Sequence, residues 1–453
     1  MTATIPTSTL KSFSESSIAT LSSDRREPAW ALELRQAAFR NFNALPWPTG
    51  KEEQWKRIPL SDIGLDDLAP GATSSAALES VDALGPRLRA FTKDSSENGA
   101  LPARRFVELA RGQVASVPEA FRERGVEWLT LEEAMASHAE RLRAAWSAAI
   151  ERAKTNKFRS LTLALANGGS CLFVPRGQVL KAPMHLYVAA GGAEKTGQFP
   201  LNFYFLEEAC EVQVWEELTG REDGAVQPLF VNSMTVIEMK ENAKASFFSL
   251  QNWDDETSHF QFQDVVQKSF SRFSAVAVCL GGRMFRNESI INLEGQGAEN
   301  KVLGILFGEK SQVFENWITQ NHVAPKTTSD IQYRGALKGS ARSFFSGLVY
   351  IKKEAQQSDA FQSAKTLLLS REARADAIPN LEILADDVKC SHGAAVGSID
   401  EDQKFYLQTR GINPANAEKA IIEGFFEPVI AEVPSESVQE RLRSFVEEKM
   451  KRP

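Results

Sequence analysis

Cys390 and His392 stand two positions apart in ILADDVKCSHGAAVGSIDEDQKFYLQTRGI, Ile383 to Ile412, in a chain with only four cysteines and five histidines. A thiolate and a neutral imidazole are ligands that suit iron or zinc. On a strand, residues i and i+2 project from the same face, so the two side chains would be neighbours. Two ligands do not close a four-coordinate site. The rest would have to come from distant residues such as Cys279 or His322, or from a second chain. A small buried cysteine beside a turn histidine accounts for the same pair with no ligand at all.

Other chemistry is absent from the motifs. There is no G-x-x-x-x-G-K-[ST] loop to cradle a triphosphate, and no H-E-x-x-H. Gly295-Gln-Gly297 lacks the third glycine of a dinucleotide fingerprint, and Gly169-Ser170-Cys171 lacks the frame of a nucleophile elbow. Cys171, Cys210, Cys279 and Cys390 are far apart, so neither a zinc ribbon nor a disulfide framework can be read. The net charge of −7 leaves no basic footprint for nucleic acid. No apolar run is long enough for a membrane helix, and the Ser/Thr-rich start has no secretory apolar core. Glu15, Asp24 and Glu27 argue against a transit peptide. The expectation is a cytoplasmic protein in a reducing compartment.

The elements that must hold the pair fall into three parts. Residues 1–160 read mostly as helix. Pro28 opens one helix, with Leu32, Leu34, Ala37, Ala38 and Phe42 as its apolar positions. PWPTG breaks the pattern at 46–50. Thr130 and Glu133 form a capping-box signature, and Leu131, Ala134, Met135, His138, Leu142, Ala145, Trp146 and Ala149 share the face that follows. On that face His138 reads as a packing residue.

From 161 to 396 short β-like runs take over, as in Leu201–Phe205 and Ala275–Leu280. A sub-pattern recurs within them: an apolar residue, three mostly polar ones, then Ala or Gly. It occurs at Phe205–Ala209, Met239–Ala243, Leu293–Gly297, Leu337–Ala341, Ile351–Ala355 and Leu369–Ala373. A small residue after a polar corner suits a tight bend between stacked strands, as in a β-solenoid. The spacing is irregular, and a β-sandwich fits the same runs.

Residues 397–453 return to helix. One helix ends at Arg410-Gly411. Asn413 and Pro414 open a second, with Ala417, Ala420, Ile421, Gly424 and Phe425 as its apolar face and Pro428 ending or kinking it. A third begins near Ser437 and carries Val438, Leu442, Phe445 and Val446. Helices at a chain end can pack on the β region or dock on another protein.

Three stretches resemble a known family. PNLEILADDVKCSHGAAVGSIDEDQKFYLQTRGI, from Pro379, is similar to the signature of the SufB/SufD family of iron–sulfur cluster assembly proteins. QNHVAPKTTSDIQYRGALKGSARSFFSGLVYIKKEAQQSDAFQSAKTLLLS, from Gln320, looks like the run before it. LPWPTGKEEQWKRIPLSDI, from Leu45, resembles the N-terminal segment of the SufD branch. ADDVKCSHGA and the scarcity of cysteine are closer to SufD than to SufB. Arg57 stands where Tyr is usual, and Ala395 where Thr is commoner.

The resemblance implies a mainly β fold: a right-handed parallel β-helix core, flanked by an N-terminal and a C-terminal helical domain. It implies a non-catalytic scaffold that pairs with a SufB-like chain through the β-helices. It also implies that the C-terminal helices hold a SufC-like ATPase, approached through Phe405, Tyr406, Arg410, Gly411 and Ile412. His392, with Cys390 beside it, would be the iron or cluster ligand at the shared interface. No cofactor would stay tightly bound to the isolated chain, only transient iron or an iron–sulfur cluster in the complex. A homodimer through the same strands is the alternative for the chain alone.

Overall fold

The corners of the β region set its architecture. Ala209, Asn242, Phe270, Gly297, Lys326 and Gln357 all have φ between 55° and 68°. Left-handed backbone is uncommon away from glycine and has to be held in place. Here the N–H of each of these residues donates to a carbonyl in the next corner of the stack, for example Ala209 to Glu241 at 3.0 Å and Asn242 to Ser269 at 2.9 Å. The residue that follows each turns inward and is small: Cys210, Ala243, Ser271, Ala298, Thr327 and Ser358 are all buried. Anything larger would fill the space into which the next corner nests.

These corners join strands that alternate between two sheets. The computed structural model describes residues 13–58, 60–63, 65, 68–70, 102–109, 112–191, 196–221, 229–433 and 436–451. The first twelve residues and Arg452 therefore lie outside the described residues. Strands stack in parallel, in register, one coil above another, giving a β-solenoid of about seven turns. One sheet ends in Arg374–Ile383 and the other in Val388–Ser398. Paired residues are 26 apart between His259 and Phe285, 29 between Phe285 and Phe314, and 32 between Phe344 and Asp376. That drift in coil length explains the irregular spacing of the corner pattern. The interior is packed by Val212, Val214, Ile237, Val265, Ile291 and Ile331.

The two ends of the solenoid differ. At the start, Gly112–Ser116 and Glu127–Thr130 pair antiparallel with the first strands and cover their edges. The segment expected to be mostly helical thus also supplies strands. At the far end, Arg374–Ile383 and Val388–Ser398 each pair on one side only among the described residues.

Helices cover one outer face of each sheet. The N-terminal helices Glu15–Asp24, Ala29–Ala44, Ala139–Arg152 and Lys157–Leu165 lie on the first sheet, where Phe158 packs against Phe230 and Phe260. Buried charges fix the contact: Arg159 pairs with Asp264 and with Glu288 (2.9 Å), and Arg286, paired with Glu315 of the next strand (2.6 Å), donates to the Gln54 carbonyl (2.7 Å). The capping box at Thr130 is present, but the helix it opens stops at Ser137. A new helix starts at Ala139, because His138 takes φ −128° and ψ 37°. His138 is half-buried there, stacked on Phe173.

The C-terminal helices Pro414–Ile430 and Glu436–Lys451 lie on the second sheet. Ile422, Phe426, Val429, Val438, Leu442 and Val446 cover Phe248, Leu250, Val276, Val278, Ile305 and Phe307. The buried stripe of the first of these helices is rotated from the expected one: Ile422 and Phe426 are inside, while Ala420 and Gly424 are exposed. Apolar residues occur on both sides of this helix, so the sheet's contour chose the side. Pro428 does not end it; the helix runs on to Ile430. Lys449, itself buried, donates to the Leu280 carbonyl (2.6 Å) and pairs with Glu309 (2.8 Å), and Arg441 pairs with Glu217. No helix among the described residues is long and apolar enough to cross a membrane.

Losing one member of a buried pair leaves a stranded charge, at a cost of roughly 3–5 kcal/mol. Glu309→Ala is therefore expected to lower the melting temperature of the whole chain markedly. Glu309→Gln with Lys449→Met should recover most of the loss in the same thermal-unfolding measurement.

Candidate functional site

The uncovered end of the solenoid holds the cysteine–histidine pair. Val388–Ser398 aligns Cys390 with Ala360, His392 with Gln362 and Ala394 with Ala364 on the preceding strand. Ala360, Gln362 and Ala364 are all buried inside the coil. In-register parallel strands keep the same parity, so Cys390 and His392 both face the lumen side. No further coil lies above them among the described residues, and the histidine is exposed. Cys390 is half-buried against a small apolar cluster that includes Val349, Ile351 and Ala385. Directly below His392 in register, the fully buried Gln362 donates to the Asn380 carbonyl (2.8 Å), while its Oε1 has no hydrogen-bond partner.

Burial pushes the Cys390 thiol upward, and the charge of Asp359 adds to this; a backbone hydrogen bond from Ala360 pulls the other way. The thiol is thus held protonated at neutral pH until a metal or a cation displaces the proton.

Cys279 and His322 do not join the pair. Cys279 lies four strands deeper in the same sheet, roughly 19 Å down the stack at about 4.8 Å per strand, and is displaced along its strand from Phe273, the residue in register with Cys390. Burial raises its thiol to about 12. His322 is buried in the opposite sheet, its ring held between the hydroxyls of Thr327 (2.7 Å) and Ser329 (2.8 Å). Burial lowers it to about 4, so it stays neutral. Among the described residues no three His, Cys, Asp or Glu side chains come together to hold a metal ion.

Around the pair the end surface mixes apolar side chains with the exposed Asp386, Asp387 and Lys389. Ile383, Leu384 and Val396 are exposed there. Exposed edge strands carrying apolar side chains are templates for pairing with another chain.

The second candidate region follows directly. The helix Glu401–Thr409 is capped by Asp400 and has no buried residue. Lys404 ties it to Glu418 of the next helix (3.1 Å). Phe405 and Tyr406 are 66% and 57% exposed, the most exposed large apolar side chains among the described residues. Arg410 lies over the Tyr406 ring (5.2 Å), and Gly411, at φ +86°, turns the chain toward the half-buried Ile412.

The fold is a parallel β-solenoid with helices on opposite faces and, among the described residues, one end without a cap. Residues 188–425, more than half the chain, match the family described as "SUF system FeS cluster assembly, SufBD core domain". Proteins named "Iron-sulfur cluster assembly SufBD family protein" from Staphylococcus epidermidis and Staphylococcus haemolyticus are 26% identical over 443 residues, covering 96% of this chain and 92% of theirs. A protein of that name from Staphylococcus aureus matches equally. The chain belongs to the SufBD family of iron–sulfur cluster assembly proteins.

The other three cysteines are buried and their thiols raised, Cys210 and Cys279 to about 12. Native protein is therefore expected to react with iodoacetamide at Cys390 alone, slowly at neutral pH and faster as pH rises. Mass spectrometry of the native chain and of Cys390→Ser checks this; the variant should take up no label.

Proposed function

We propose that the chain is the SufD-like scaffold subunit of a cluster-assembly complex, without catalysis of its own, and that its open end pairs with a SufB-like chain. One observation carries the reading: the two ligand-type side chains lie at the one end of the solenoid that no described element covers. In this reading His392, with Cys390 beside it, contributes half of a ligand set for iron or a nascent cluster, and the partner contributes the other half. An incomplete set suits a cluster that must be handed on, since a fully ligated one would be retained. Iron and sulfide are here the cargo, not a resident cofactor.

The exposed Phe405 and Tyr406 are the anchors proposed for a SufC-like ATPase, since buried aromatic anchors carry much of an interface's energy. The helices behind them are clamped to the solenoid by Lys449 and Arg441, so a load applied at Phe405 reaches the second sheet. A homodimer through the same open end is the competing arrangement for the chain alone, because unpaired strand edges do not by themselves distinguish partners.

Co-expression with SufB-like and SufC-like proteins, followed by purification through a tag on this chain, tests the assembly. A complex holding all three is expected. A lone monomer or homodimer carrying its own iron would overturn the reading. Within that complex, His392→Ala should abolish most cluster formation while leaving folding and pairing intact. Phe405→Ala with Tyr406→Ala should weaken ATPase binding at least tenfold, at about 1.4 kcal/mol per factor of ten. Deletion of 413–453 is a poor substitute, because it would uncover Phe248, Val276, Ile305 and their neighbours.

A further inference from the structure

A carboxylic acid lies inside the solenoid, far from the open end. Glu216 is 5% exposed and sits on Glu211–Thr219, between Leu186 and Ser249 on the adjoining strands. Ser249 Oγ donates to its Oε2 at 2.9 Å and Gln261 Nε2 to the same atom at 3.4 Å. Oε1 accepts no hydrogen bond from a described residue, and no described cation pairs with Glu216. The titratable groups nearest it are Glu108, Tyr204 and His259, from three different strands, and the buried Arg105 lies two strands below it in the same inward column, beneath Leu186. The Trp253 indole N–H donates to His259 Nδ1 (3.1 Å), which leaves the proton on Nε2 to be donated to Ser233 Oγ (2.8 Å). His259 is therefore neutral and offers Glu216 no charge; burial lowers it to about 3.

Two cavities flank this carboxyl. One, of about 50 Å³, is bordered by Glu216, Ser233, Asn202 and Gln198. The other, of about 30 Å³, lies beyond Ser249 and Gln261 and is bordered by Gln263, Asn287, Ser289, Cys279 and Tyr333. Both exceed the roughly 10–15 Å³ that a water needs. The first also presents an unsatisfied group, since Gln198 Nε2 is buried without a partner, and the second is lined by the Tyr333 hydroxyl and the Asn287 amide. The hydroxyl hydrogen of Ser233 is not used toward His259 and is free to be donated to water. Buried polar groups left in this state are normally satisfied by internal water. Toward the open end the column Glu216, Ser249, Ala277, Gly304 is plugged by the Tyr333 ring, which fills the space beside Gly304 and packs against Phe345 at 4.9 Å, before it runs on through Ala364 to Ala394. The Glu216 chamber is thus set apart from Cys390 and His392.

We propose that these cavities are a hydrated internal site in which Glu216 binds and releases a proton through the enclosed water. Burial pushes the Glu216 carboxyl up to about 7, with the Ser249 and Gln261 hydrogen bonds opposing the rise. The folded chain then holds a proton that the unfolded chain gives up. The stabilisation from that proton is complete below the ordinary glutamate value and is lost as pH rises through about 7.

Infrared difference spectroscopy of the full-length chain tests this. At about pH 5 a protonated buried carboxyl band is expected; it should vanish by about pH 8.5 and be missing from Glu216→Gln. Glu315 and Asp330 are also raised by burial, so the comparison with the variant is what assigns the band. In D₂O the band should shift within minutes, because water reaches the site without unfolding. A band unchanged in Glu216→Gln, or one that shifts only on unfolding, would overturn the proposal. If Glu216→Gln does not fold, Ser249→Ala removes a donor that favours the carboxylate and should move the midpoint upward; an unmoved midpoint would be equally fatal.

Discussion

Everything in this molecule depends on the parallel stacking of one coil on the next. Each strand's backbone groups are satisfied by the coils on either side, and each left-handed corner is held by the corner beside it in the stack. A parallel solenoid therefore has no natural stopping point. It must be capped by other structure or left open. The first coil is capped by two antiparallel strands from the N-terminal segment. Among the described residues the last is left with free edges and exposed Ile383, Leu384 and Val396. Cys390 and His392 lie at that open end, and the proposed function makes them half of a shared ligand set for that reason.

The helical segments solve a different problem. Solenoid sheets have outer as well as inner faces, and here both outer faces are rich in aromatic and aliphatic side chains. The N-terminal helices cover Phe230 and Phe260, and the C-terminal pair covers Phe248, Val276 and Ile305. Buried ion pairs at Arg159 and Lys449 register these helices on their sheets. Burial alone would raise the Asp264 carboxyl, but Arg159 and Arg152 hold it below the usual range, so the clamp stays charged. Such pairs add little net stability over an apolar replacement, and their value lies in specifying one docking position. The helix Glu401–Thr409 is built otherwise, with no buried residue and its aromatic side chains turned to solvent.

The interior mixes the two chemistries. Its apolar columns supply the hydrophobic core, while Glu216, Gln261, Asn287 and His259 form polar inclusions held mainly by hydrogen bonds to one another and to neighbouring side chains. Water in the flanking cavities relieves the remaining cost of their burial and leaves the carboxyl able to exchange its proton.

Much of this was legible in the residues before any coordinates. The cap at Thr130, the helix break at Arg410-Gly411 and the Asn413–Pro414 start are local, and each depends on side chains within four positions. The corner pattern pointed to stacking, although coils of unequal length hid the period. The shared face of Cys390 and His392 follows from strand geometry alone. Other features depended on contacts between residues far apart in the chain. The buried side of Pro414–Ile430 was decided by the sheet it lies on, the break at His138 by stacking on Phe173, and the carboxyl at Glu216 by coils nearly fifty residues away in sequence. Short-range chemistry determined the elements and named the candidate ligands. Only the tertiary stack decided which end stayed open, and therefore that the pair lies uncovered instead of inside a closed core.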